Sequence, residues 1–148
     1  MTPNILISQS EAELAKLFSD DFIAHIDGNR AITLRAFYAE ITEMLEIQEF
    51  GFTLESLNDA LNDLQWLEDE RIILYITETE KFIGKERDPA KMTAVLNILD
   101  ATAEDWKWLE EDESINKKEL IIIFEDSPRI RKLLDNEAIN HKMLAELL

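Results

Sequence analysis

The chain contains no cysteine. That excludes disulfides, thiolate metal sites and a thiol nucleophile, and leaves the redox compartment open. Three glycines are too few and too scattered for a P-loop, another phosphate-cradling loop or a nucleophile elbow. The two histidines, His25 and His141, have no His or Cys near them in sequence to complete a zinc motif, so structural or surface roles are expected of both. No apolar run approaches the length of a membrane span. Residues 1–13, MTPNILISQSEAE, lack the basic and apolar regions of a secretory signal, and cytoplasm is the expected location. Cations are scarce as well. There are 15 Lys and Arg against 32 Asp and Glu, a net charge of −17. Such a field repels nucleic acid and anionic membrane and draws basic partners inward.

The scarcity of cations is local. From Ala36 to Glu70 there is no Lys or Arg, against ten acids: Glu40, Glu43, Glu46, Glu49, Glu55, Asp59, Asp63, Glu68, Asp69 and Glu70. Within this span, FGFTLESLNDALNDLQWL (50–67) carries two helical patterns. Leu54, Leu57, Leu61 and Leu64 recur at three- and four-residue spacing, one apolar stripe. Glu55, Asp59 and Asp63 recur four apart on another face, with Asn58 and Asn62 beside them. Like charges at that spacing repel by roughly 0.2–0.5 kcal/mol per pair. Asp63 also lies where the helix dipole disfavours an anion. Successive carboxylates rise about 6 Å along the axis, near a phosphate-to-phosphate step in a single strand. The face is suited to the cations that a phosphate-binding protein gathers; a merely solvated acidic face is the other reading.

The length of 148 residues and a 46% hydrophobic content predict one domain over residues 1–148. A capping box at Ser10 and Glu13 starts a helix over 11–18. FIAHIDG (22–28) predicts a strand at 21–26, followed by a turn. Thr33 caps a helix to about Ile47, and Thr53 caps the next over 54–65. RIILYIT (71–77) and LIIIF (120–124) are buried strands. Between them a short helix to about Ile83 and a longer one from Asp88-Pro89 to about Glu111, bent near Thr102, are expected. Ser127-Pro128 starts another helix, and the segment from about Glu137 onward reads as helical. The expected fold is α/β, a small three-stranded parallel sheet packed with helices, with right-handed crossovers.

These segments together resemble the barstar-type ribonuclease inhibitors. The resemblance runs from FIAHIDG through FGFTLESLNDALNDLQW, RIILYIT and VLNIL to LIIIF. It implies a barstar-like core over about 21–125, with helical extensions at 1–19 and 126–148. It also implies a protein that plugs a ribonuclease active site with an acidic helix and the loop before it. By position, Phe50 and Gly51 match the family's aromatic-Gly pair, with Phe52 next to them. Asp59 matches the central aspartate, which sits where a substrate phosphate would. Glu55 stands for another acidic contact. Asn58, Asn62 and Asp63 stand where the member that names the family has Trp, Thr and Gly, and Glu49 replaces a contact tyrosine. The acidic contact of the fourth helix falls on Ala101, with Asp100 adjacent. Charge is retained while aromatic anchors are lost. The expected partner is therefore a basic protein, such as a ribonuclease toxin to which this chain confers immunity, rather than barnase itself.

The implied partner-binding set is Glu49, Phe50, Gly51, Phe52, Glu55, Asn58, Asp59, Asn62, Asp63 and Asp100. No catalysis, cofactor or metal is expected. Glu55 and Asp59 as a glycosidase-like pair would lack the desolvation that separates two carboxyl pKa values. The acid run 110–113 lacks the glycine and terminal glutamate of an EF-hand. An acidic interaction module with a non-nuclease partner is the alternative to inhibition. Of Trp106 and Trp108, two apart on one helix, one is expected in the core and one partly exposed. The amphipathic ILIS (5–8) and the C-terminal IRKLL and AINHKMLAELL segments are expected to cover the core, or else to form a dimer contact.

Overall fold

Residues Ile72–Ile76 and Leu120–Phe124 are consecutively buried, side chains up and side chains down alike. Such runs fit only strands covered on both faces. The computed structural model describes residues 2–110, 112 and 114–148. The elements are β1 (Ile5–Ser8), α1 (Glu11–Phe18), β2 (Phe22–Asp27), α2 (Leu34–Met44), α3 (Leu54–Asp63) and β3 (Arg71–Thr77). After them come α4 (Pro89–Trp108), β4 (Glu119–Glu125), α5 (Pro128–Asn136), β5 (His141–Met143) and a 3-10 turn at Leu144–Leu147. All strand pairs are parallel, in the order β2-β3-β4-β1-β5.

The sheet thus has five strands, not the expected three, and the two flanking segments are not purely helical extensions. ILIS forms β1, inserted between β4 and β5, with Ile5 opposite Ile122 on one side and His141 on the other. Three apolar residues followed by Ser8 are too short a run to tell strand from helix. Its hydrogen-bond partners lie more than a hundred residues away, so only the assembled sheet defines it. The C-terminal segment breaks from helix at Ala138, which adopts a left-handed φ of 53°, and pairs as β5 instead. The turn at 78–84 is likewise not a helix. Glu78 and Ile83, at φ 52° each, interrupt it at both ends.

Two helix ends also fall short of the expectation. Helix α2 stops at Met44, with Glu46 left-handed at φ 55°. Helix α4 stops at Trp108; Glu111, its expected end, and Glu113 of the acid run lie outside the described residues.

Handedness distributes the helices. The steps β2 to β3, β3 to β4 and β4 to β5 run one way across the sheet, and only β1 to β2 runs back. Right-handed crossovers therefore put α2 to α5 on one face and α1 alone on the other. The core divides accordingly. Ile5 and Ile7 join Phe37, Leu57, Leu61, Leu99, Trp106 and Ile130 in the larger cluster. Leu6 joins Leu14, Phe18, Ile73, Tyr75 and Leu144 in the smaller.

Tyr75 is 3% exposed. Burial, reinforced by Glu125, pushes its phenol from 10.0 up to about 12. Burial and Glu86 also raise Tyr38, the only other tyrosine. Folding thus favours the neutral phenols. Their contribution to stability is intact below the unfolded value of about 10 and is lost as pH rises through the folded values. In an ultraviolet absorbance titration, neither tyrosine of the native chain should ionise near its ordinary value. Phenolate should appear above it, together with alkaline unfolding.

Candidate functional site

Helix α3 is anchored at both ends. Thr53 caps it, its Oγ1 accepting from the Ser56 N–H at 3.0 Å. The Ser56 hydroxyl in turn accepts from the Gly51 N–H at 3.2 Å, knitting the preceding loop to the first turn. A Cβ at Gly51 would sit 2.5 Å from Ser56 Oγ, so any larger residue must displace that hydroxyl and its bonds. At the other end Leu64 takes a left-handed φ of 54° and is fully buried. Leu57 and Leu61 are fully buried between these anchors and Leu54 is half-buried, so the expected stripe is the inward face. That fixes the outer face. Glu55, Asp59, Asn62 and Asp63 are exposed and Asn58 is half-buried. The Asn62 amide donates to the Asn58 carbonyl at 2.9 Å.

The loop before α3 is an aromatic knot. Phe50 packs on Tyr38, and Phe52 on both, with ring centroids 5.2, 6.0 and 5.5 Å apart. Phe52 is 41% exposed, its backbone is left-handed at φ 53°, and the Arg35 guanidinium lies 5.1 Å from its ring centre. A non-glycine residue in that region costs on the order of 1 kcal/mol or more. The knot and the Ser56 bonds hold the loop against that cost.

Between loop and helix lies a groove of about 420 Å³ that brings together Glu49, Asp59, Asp63 and Trp66. The Trp66 indole N–H donates to the Leu45 carbonyl at 2.7 Å, so its ring is fixed there while 38% exposed. Sequence reasoning missed Trp66. It falls just past the helix, outside both the apolar stripe and the acidic repeat. Its one signal was an aromatic next to a carboxylate run. Glu55, Asn58 and Asn62 do not line the groove and extend the acidic surface beside it. Asp100 is placed differently. Its carbonyl and carboxylate accept from the Asn4 amide at 3.2 and 3.0 Å, tying α4 to the approach to β1.

Of the ten acids between residues 36 and 70, only Glu40 is in an ion pair among the described residues, with Arg30 at 3.0 Å. The remaining nine have no cation within bridging distance, since the other four pairs are Arg71–Asp21, Lys91–Glu86, Arg131–Asp126 and His141–Asp135. Apart from Arg30 at Glu40, the fold therefore brings no ion-pair cation to these acids among the described residues.

The remaining candidates have structural roles. His25 bonds Thr77 Oγ1 at 2.8 Å and stacks on Tyr75. His141 bonds the Ile139 carbonyl at 2.8 Å. Trp106 is in the core, donating to the Leu61 carbonyl at 2.8 Å, and Trp108 is 70% exposed, as expected of the pair. No group of three His, Cys, Asp or Glu among the described residues could hold a metal. Among the described residues, no helix is long and apolar enough to cross a membrane.

Comparison with known proteins gives three results. Residues 22–116 match the family described as Barstar (barnase inhibitor). No curated protein matches the chain. Among solved structures, the Aeropyrum pernix ORC2 protein in its ADPNP-ADP complexes is similar over 96% of this chain, at 15% identity and a TM-score of 0.53. The ADP form of that protein is similar over 95%, at 10% identity and a TM-score of 0.54. This chain spans only 41% and 42% of those structures, and the likeness is one of fold.

Proposed function

The chain belongs to the barstar family, and on that premise we propose that it binds a ribonuclease and blocks its active site with α3 and the loop before it. The observation that carries this reading is the set of carboxylates without ion-pair partners on α3 and in the loop before it, Glu49, Glu55, Asp59 and Asp63. A ribonuclease site collects Lys, Arg and His to hold phosphate. Glu49, Asp59 and Asp63 would answer those cations from the groove, Glu55 from the same helix face. The loop and Trp66 would fill the space that RNA needs. Because α3 is capped and its loop is tied to it, the carboxylates need little ordering on binding. The unscreened field of the free chain would speed encounter with a basic partner. No proton transfer or covalent step is involved.

The test is inhibition of RNA cleavage by small secreted ribonucleases and by any ribonuclease toxin encoded beside this chain. Stoichiometric inhibition that competes with RNA is expected. A folded sample that inhibits none of them would remove the nuclease from the reading. It would favour a second one, an acidic module for another basic partner. The replacement of aromatic contacts by Glu49 and Asn58 already leans that way.

Salt separates binding from stability. Raising ionic strength from about 0.1 M to about 1 M shortens the screening length from about 10 Å to about 3 Å. Affinity for the partner should fall, as read by titration calorimetry. The melting temperature of the free chain should rise, because its uncompensated carboxylates then repel less.

A further inference from the structure

A second cavity, of about 480 Å³, opens at the start of β1 and β4, between α1, the end of α4 and the C-terminal turn. Leu17, Phe18, Trp106 and Ile121 contribute apolar wall, and its exposed lining is mainly apolar. Its own lining carries more cations than carboxylates, while Arg71, Lys117 and Lys118 also border an adjoining hollow that Asp20, Asp21, Glu68, Asp69, Glu70 and Asp112 line. Arg71, Lys107, Lys117 and Lys118 line it, against the single carboxylate of Glu119. Four of the chain's 15 basic residues thus meet at one apolar hollow in a molecule of net charge −17.

Two of the four are already committed. Arg71 pairs with Asp21 at 3.0 Å, and the buried Lys118 ammonium donates to the Leu67 and Asp69 carbonyls, both at 2.6 Å. Lys107 and Lys117 are not. Each donates to one neutral carbonyl, of Thr2 at 2.7 Å and of Lys107 at 3.3 Å, and neither is in an ion pair with a carboxylate among the described residues. The wall also contains Asn4, which is 8% exposed. Its amide nitrogen is fixed by Asp100 and Glu104, which sets the orientation of the group. Its Oδ1 is the one buried side-chain polar atom among the described residues that has no partner. An anion offers no donor to this atom, so Asn4 takes no part in the site.

We propose that this cavity binds a small apolar monoanion, with its apolar body against Leu17, Phe18 and Trp106 and its acid group at Lys107 and Lys117. Its volume lies within the roughly 300–1,000 Å³ typical of small-ligand sites. The site stands apart from the α3 groove, shares no lining residue with it, and does not depend on the ribonuclease reading.

Anilinonaphthalene sulfonate, an apolar monoanion that fluoresces when shielded from water, is the probe. The folded full chain should bind it saturably at one site. The paired substitution Lys107→Glu and Lys117→Glu should weaken it about tenfold or more. Phenylnaphthylamine, which lacks the sulfonate, should bind the native chain with correspondingly lower affinity. Near-ultraviolet circular dichroism checks that the variant is folded, and Lys107→Met with Lys117→Met is the substitute pair if it is not. Displacement by a medium-chain fatty acid or by an aromatic carboxylate supports the proposal and tells the two sources apart. No saturable binding by the folded chain, or binding indifferent to both lysine pairs, overturns it.

Discussion

Asp59→Ala is expected to weaken binding to the partner by about 30-fold or more, the size of a hot-spot contact of about 2 kcal/mol. The same substitution should make the free protein more stable. Asp59 repels Glu55 and Asp63 one turn away on each side, at roughly 0.2–0.5 kcal/mol per pair. Alanine also has the higher helix propensity, by a few tenths of a kcal/mol. Together these predict a gain of about 1 kcal/mol in the free chain. The opposite signs make the test sharp. A carboxylate that served only as a solvated surface would give the gain in stability with no loss of binding. A merely structural residue would show loss of both. Inhibition assays and denaturant unfolding of the same preparation distinguish all three outcomes.

A fragment confined to residues 21–125 is expected to lose its cooperative fold. That is the segment whose sequence resembles a complete small domain. In the structure its strand β4 borders not solvent but β1, and Ile5, Leu6 and Ile7 are each 0% exposed. Each such side chain contributes about 1.5–3 kcal/mol through burial. Removing three of them, with a row of ladder hydrogen bonds, approaches the whole stability of a typical domain, about 5–15 kcal/mol. Within the full chain, Leu6→Ala should cost about 2–5 kcal/mol. Urea unfolding followed by circular dichroism reads both. A fragment that unfolds cooperatively, or a Leu6→Ala chain as stable as its parent, would show that β1 is accessory.

The sequence by itself determined the family, the chain's acidity and the inner and outer faces of α3. These rest on local regularities. Leucines at helical spacing must turn inward, Thr53 can cap only the helix that follows it, and a carboxylate repeat at a four-residue interval must share one face. The two central strands were legible for the same reason, being apolar runs too continuous for anything but a doubly covered sheet. Only the tertiary structure decided that the sheet has five strands. The strands β1 and β5 are short, and their partners are remote or themselves short, so nothing within either segment distinguishes strand from flanking helix. It alone also brought Trp66 and Glu49 into one groove with Asp59 and Asp63, and placed Asp100 against Asn4 instead. Those placements depend on where a loop with left-handed Glu46 and Phe52 turns, and on which backbone carbonyl an indole or amide finds across the fold. Such choices are made by contacts between distant segments and leave no period in the sequence.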